Sequence, residues 1–154
     1  MEGNYTSEYR ETTTKFTDKD CLVDALVAAG YTRDKIEVHE QPQQLFDFQG
    51  RATKYVNKTG DKANIIIRRN NIGYGAANDL GFLWDETSKT YKAMVSAYDS
   101  SSAHWGPEGD RMKKTEQAYA ELKIAKTAKK MGFKYLGKKI VNGKTQVQYL
   151  DMRA

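Results

Sequence analysis

Three consecutive isoleucines, Ile65-Ile66-Ile67, place the tightest constraint on how this chain folds. Successive side chains of a strand point to opposite faces, so an unbroken apolar run has to be covered on both sides. The segment Ala63–Arg69 is therefore expected as a strand buried on both faces. Two helical segments are available to pack on such a sheet. In the first, Thr17 is placed to cap the helix by accepting the Asp20 amide, and Asp18 and Asp20 complement its positive end. Phe16 and Cys21 stand where a hydrophobic staple would close. Leu22, Leu26 and Ala29 follow at i, i+4 and i+7, and Gly30 supplies a left-handed stop, which predicts a helix over residues 18–29. A longer helix is predicted over residues 110–131, ending at Gly132.

The remaining segments read as strands. Tyr9, Glu11 and Thr13 alternate toward Phe16, and Lys35–Glu40 and Leu45–Phe48 are short extended candidates. Leu80–Trp84 and Tyr91–Tyr98 read as a hairpin around Asp85–Thr90. Tyr135–Val141 and Thr145–Leu150 are joined by Asn142-Gly143, the strongest short hairpin signal in the chain. Ser100–Gly109 is expected as an irregular loop. The whole predicts a single α+β domain over residues 9–154, with a mostly antiparallel sheet of about five to seven strands and two main helices packed on it. Residues 1–8 form a loose lead-in. A chain of 154 residues suits one domain.

The single cysteine, Cys21, excludes an internal disulfide. With no apolar leader and no long apolar run, the expected setting is cytoplasmic, which includes a host-cell cytoplasm or a plastid stroma, with no membrane. A net charge of +5 permits acidic partners without requiring them.

The order of motifs suggests a relative. Phe16-Thr17-Asp18-Lys19-Asp20 opens a helix that leads to Gly30-Tyr31. Ala63–Ile67, Asn78–Phe82 and Tyr91–Val95 follow, then a helix carrying Gln117-Ala118-Tyr119-Ala120, and a basic hairpin closes the chain. This pattern resembles the hypothetical chloroplast reading-frame-35 family of plastids, cyanobacteria and phages over residues 9–151. Asp79–Phe82 and Gln117–Ala120 are its most specific pieces. The resemblance implies a small α+β domain with no established activity, so no catalytic residue and no cofactor is carried over. The chain departs from the plastid pattern in Gly73–Ala77 and in Ser100–Gly109, additions of a phage-like kind.

Three groups of residues are candidates for function. Arg68, Arg69, Gly73, Tyr74, Gly75 and Asn78 form a glycine-rich segment that could bind a small ligand such as a nucleotide. It lacks the third glycine of a dinucleotide fingerprint and the Lys-Ser/Thr of a phosphate loop, and it leads into a strand rather than a helix. The alternative is a flexible or gating loop. His104 and Trp105 could form a recognition tip for a protein partner, since an exposed indole anchors interfaces; the alternative is that Trp105 folds back onto the sheet. Tyr119, Lys123, Lys126 and Lys130 form a stripe on the long helix. With Lys138 and Lys139 they could contact nucleic acid, against the alternative of a solvated helix face. Two histidines and one cysteine lack metal-ligand spacing. His39, Asp47, Asp79 and Asp99 assemble no catalytic cluster from sequence alone. The expected function is thus a non-catalytic binding or adaptor protein that engages a host protein or a small nucleotide. Nucleic-acid binding and a small enzyme with an unrecognised site are the alternatives.

Overall fold

In the computed structural model, which describes residues 8–101 and 104–153, the isoleucine run lies inside a five-stranded antiparallel sheet. The elements in chain order are β1 (Tyr9–Thr12), α1 (Lys19–Ala28), β2 (Ile36–Gln44), β3 (Lys62–Ile67), β4 (Leu80–Asp85) and β5 (Thr90–Ser96). After these come α2 (Ala97–Ser101), α3 (Asp110–Lys130), β6 (Phe133–Val141) and β7 (Lys144–Asp151). The main sheet has the order β1-β5-β4-β3-β2, and β6 and β7 form a separate two-stranded ribbon. The chain is an α+β domain, as its pattern implies. The lead-in expected over residues 1–8 lies outside the described residues except for Glu8, as do two residues of the Ser100–Gly109 loop.

Both faces of β3 are covered. Ile65 and Ile67 join Phe82, Ala93 and Val95 beneath α1 and α3, where Phe16, Leu22, Leu26, Met112 and Tyr119 complete the main core. Ile66 faces the other way, with Tyr9, Leu45, Ala63 and Met94. All three isoleucines are inaccessible to solvent, and each such side chain contributes about 1.5–3 kcal/mol of burial.

The second face is closed by the loop between β2 and β3, which is held by buried acids. Asp61 accepts the amides of Tyr55, Val56 and Asn57, and Asp47 accepts those of Gln49 and Arg51. Gly81 lets this layer approach: a Cβ there would lie 2.5 Å from the Ala63 Cβ and 3.1 Å from Leu45. Leu45–Phe48, expected as a strand, belongs to this loop, with only an isolated bridge from Phe46 to Ala52.

Three boundaries move for identifiable reasons. Asp18, not Thr17, caps α1, its carboxylate accepting the Cys21 amide at 3.0 Å. The Thr17 amide instead donates to the Tyr119 hydroxyl. β5 stops at Ser96, not Tyr98, because the Ser96 hydroxyl accepts the Asp99 amide and starts α2. The Ser100–Gly109 segment therefore begins inside a third, short helix rather than in an irregular loop. The glycine stops hold, with Gly30 and Gly132 at φ of 115° and 88°. Among the described residues, no helix is long and apolar enough to cross a membrane.

Candidate functional site

The ligand-binding set divides once it is folded. Arg68 extends from the end of β3 on the Ile66 side and is gripped by two carboxylates. Its Nε and Nη2 donate to Glu37 at 2.9 and 3.0 Å, and its Nη1 donates to Asp79 at 2.9 Å. Asp79, whose side chain is fully enclosed, also accepts the amides of Phe46 and Arg69, both at 2.8 Å. The motif residue Asp79 thus ties the start of β4 to the end of β3 and to the covering loop. Burial works against the Glu37 carboxylate, but the hydrogen bonds from Arg68 and His39 and the charges of both outweigh it and lower its pKa. With its guanidinium engaged by protein carboxylates, Arg68 has a structural role.

The glycine segment is pinned at both ends. Arg111, at the start of α3, donates to the Ile72 carbonyl at 2.6 Å and to the Tyr31 hydroxyl at 3.0 Å, with its guanidinium over the Tyr74 ring. The Tyr74 hydroxyl donates to Asp99 at 2.5 Å; burial first, then the Asp99 carboxylate, raise the phenol pKa far above its ordinary value. Asn78 is buried and donates its side-chain amide to Ser96 and Asp99. The Tyr74 ring stacks on His104 at 4.4 Å. Gly73, Gly75 and Ala76 are the exposed residues at the tip. The structure therefore joins two features that are separate in sequence, the glycine segment and the His104-Trp105 segment, through Asp99 and Arg111. Sequence reading missed Arg111, which lies 39 residues from Ile72 and has no local pattern to mark it.

Trp105 does not form a recognition tip. It is 1% exposed and lies against Tyr31 in the main core, with its amide donating to the Asp99 carbonyl. The indole is a member of the main core, so it is unavailable as an anchor for a partner.

Two lysines of the α3 stripe lean onto α1 while their side chains stay partly exposed. Tyr119 is 6% exposed, and its hydroxyl accepts the amides of Thr17 and Asp18 at 2.9 and 3.0 Å, so no face remains for a base. Lys126 donates to Asp18 at 2.5 Å, and Lys123 lies 3.6 Å from the same oxygen. Burial opposes ionisation of Asp18, but the Lys126 hydrogen bond, the Cys21 amide and the two ammonium charges outweigh it and hold its pKa at about 2. The stripe is a helix–helix seam, with Lys130 as the member outside it.

What remains exposed is the arm built by the end of α3 and the ribbon. Asn142 and Gly143, at φ of 52° and 77°, form the tight turn that their sequence predicts. Leu136 and Gly137 both oppose Gln148 in a bulge, which leaves two distinct ribbon faces. The inner face, toward α3, carries Phe133, Tyr135, Lys138, Ile140, Val147 and Tyr149, and Lys138 there pairs with Glu121 of α3. The outer face carries Lys134, Leu136, Lys139, Lys144, Gln146, Gln148 and Leu150 and no acidic residue. Between α3 and the inner face runs an apolar groove of about 420 Å³, lined by Ile124, Thr127, Ala128, Met131, Phe133 and Tyr149 beside Lys123. Of the eleven large apolar side chains exposed among the described residues, eight lie on this arm, including Met131 at 62% and Ile140 at 76%. A concentration of this kind marks an interaction surface.

No family model, no curated protein and no solved structure matches this chain.

Proposed function

We propose that this is a non-catalytic binding protein whose working surface is the C-terminal arm. The observation that carries this reading is the exposure on the outer face of the projecting ribbon of Leu136 and Leu150 interleaved with Lys134, Lys139 and Lys144. The body of the domain uses its polar side chains internally: Arg68, Asn78, Asp79, Asp99 and Arg111 serve the fold. The partner favoured by the outer face is a protein surface that presents carboxylates on apolar ground. The apolar residues supply contact area and the lysines supply orientation and encounter rate.

The test uses the full chain as bait in extract from the native host. A specific protein partner should be retained by the wild type and lost with Lys134→Glu/Lys139→Glu and with Leu136→Ser, while both variants keep the wild-type circular dichroism. Retention of the same partner by both variants sinks the reading.

Nucleic acid is the second reading, favoured by the absence of acids on the outer face and by the fit of a two-stranded ribbon to the major groove of a duplex. In that case binding of a labelled duplex should weaken with a log–log salt slope of about −2 to −3 for three lysine–phosphate contacts. Lys134→Glu/Lys139→Glu should then abolish most of it. A duplex that shows no salt-sensitive binding excludes this alternative.

A further inference from the structure

The geometry points to a second copy of this chain as the occupant of the β7 edge, through antiparallel β7–β7 pairing that merges two ribbons into one four-stranded sheet. The inference goes beyond the binding role of the outer face and leaves that face open. Every residue of β7 is exposed, and its outer edge carries a row of backbone groups with no strand beside it. A long uncovered strand edge of this kind is a template for pairing with another chain.

The edges of the main sheet are guarded in ways that β7 is not. β2 is broken by a register shift between Val38 and Gln43, a stretch that contains Pro42, and β1 has four residues. β7 instead offers Thr145-Gln146-Val147-Gln148-Tyr149-Leu150, six uncharged residues with no proline and no bulge on that strand.

Symmetry limits how two such edges meet. A two-fold axis that relates antiparallel neighbours in one sheet stands perpendicular to it and preserves the faces, so opposed residues share parity. Two registers satisfy this near the strand centre. One places Gln148 opposite its own copy, Val147 opposite Tyr149, Gln146 opposite Leu150 and Thr145 opposite Asp151. The other places Val147 opposite its copy and Thr145 opposite Tyr149. Neither opposes like charges, and both set apolar pairs on the inner face.

The same axis accounts for the apolar groove. α3 packs on β6 rather than β7. In the four-stranded sheet the two α3 helices would stand about three strand spacings, roughly 14 Å, apart on one face. Packed helices lie about 8–10 Å apart, so the excess is the space that Ile124 and Met131 of both copies would fill. An eight-residue edge about 26 Å long, with a combined sheet and helix depth of about 20 Å, covers on the order of 500 Å² per copy. Two copies together reach the roughly 1,000 Å² required of a specific interface.

Sedimentation velocity of the full chain tests this. The wild type should run at twice the 17.5 kDa chain mass. Val147→Glu/Gln148→Glu and Val147→Lys/Gln148→Lys place like charges at the axis in either register, and each alone should run as a single chain. An equimolar mixture of the two should return to twice the chain mass, which also shows that both variants are folded. The inference is overturned by a wild type that stays at one chain mass at millimolar concentration, by charged variants that keep the doubled mass, or by a mixture that stays single. Lys134→Glu/Lys139→Glu should keep the doubled mass. A single-chain wild type that retains its partner would therefore overturn this inference alone, and a doubled species without a partner would overturn the binding role alone.

Discussion

Replacing Asp18 tests whether the α3 lysines are a seam or a free surface. The carboxylate has two separable jobs: one oxygen caps α1 through the Cys21 amide, and the other receives Lys126 and Lys123 from α3. Loss of an N-cap costs about 1 kcal/mol. The pKa bounds both jobs together, because the Cys21 amide lowers it as well as the two lysines. A carboxyl held at about 2 in the folded chain, against about 3.9 in the unfolded one, would convert to roughly 2.5 kcal/mol if fully shielded. The two lysines are about two-fifths exposed, so water screens the pairing, and about 1 kcal/mol is the appropriate figure. Asp18→Ala should therefore destabilise by about 2 kcal/mol, a fall in Tm of about 4–8 °C for a domain of this size. Asp18→Asn keeps an oxygen for the Cys21 amide and should lose about half as much.

The two contributions also differ with pH. Because the folded pKa is depressed, the charge contribution is complete above the unfolded value near 4 and disappears as the pH falls through about 2. Urea titrations of the three proteins across that window should show wild type and Asp18→Asn converging at the acid end. Equal stability of wild type and Asp18→Asn at neutral pH, with identical acid profiles, would refute the reasoning and leave the lysine stripe available to an anionic ligand.

Two further substitutions check the internal assignments. Asp79→Ala removes one of the two carboxylates that hold Arg68, leaving Glu37, and strands two backbone amides around an enclosed site. It should cost about 3–5 kcal/mol by urea titration, and the loss with Arg68→Met added should be smaller than the sum of the two single losses; simple additivity of the two would contradict the coupling. Trp105→Ala should lower stability by about 3–5 kcal/mol, read as a fall in Tm, because it empties core volume. An unchanged Tm would restore Trp105 as an exposed anchor.

Local rules made several elements legible. The isoleucine run required cover on both faces, the glycines after α1 and α3 required left-handed stops, and Asn142-Gly143 required a tight hairpin; each is a short-range steric demand. Cap and boundary choices were less legible, because they were settled by competition for hydrogen bonds across the fold. Thr17 has the chemistry of a cap, but the Tyr119 hydroxyl, 102 residues away, takes its amide and leaves the role to Asp18.

The candidate sites show the same division more sharply. Composition and spacing marked Arg68, Asn78, Trp105, Tyr119 and the α3 lysines as able to bind a ligand or partner, and all of these but Lys130 engage another part of the same chain. A side chain's chemistry is local, whereas its partner is decided by which elements meet, and that depends on packing between segments distant in sequence. The sequence by itself determined the α+β class, the doubly covered strand and the closing hairpin. Only the tertiary structure decided that Arg68, Lys123 and Lys126 pair with carboxylates of the same chain and that the ribbon is left standing in solvent.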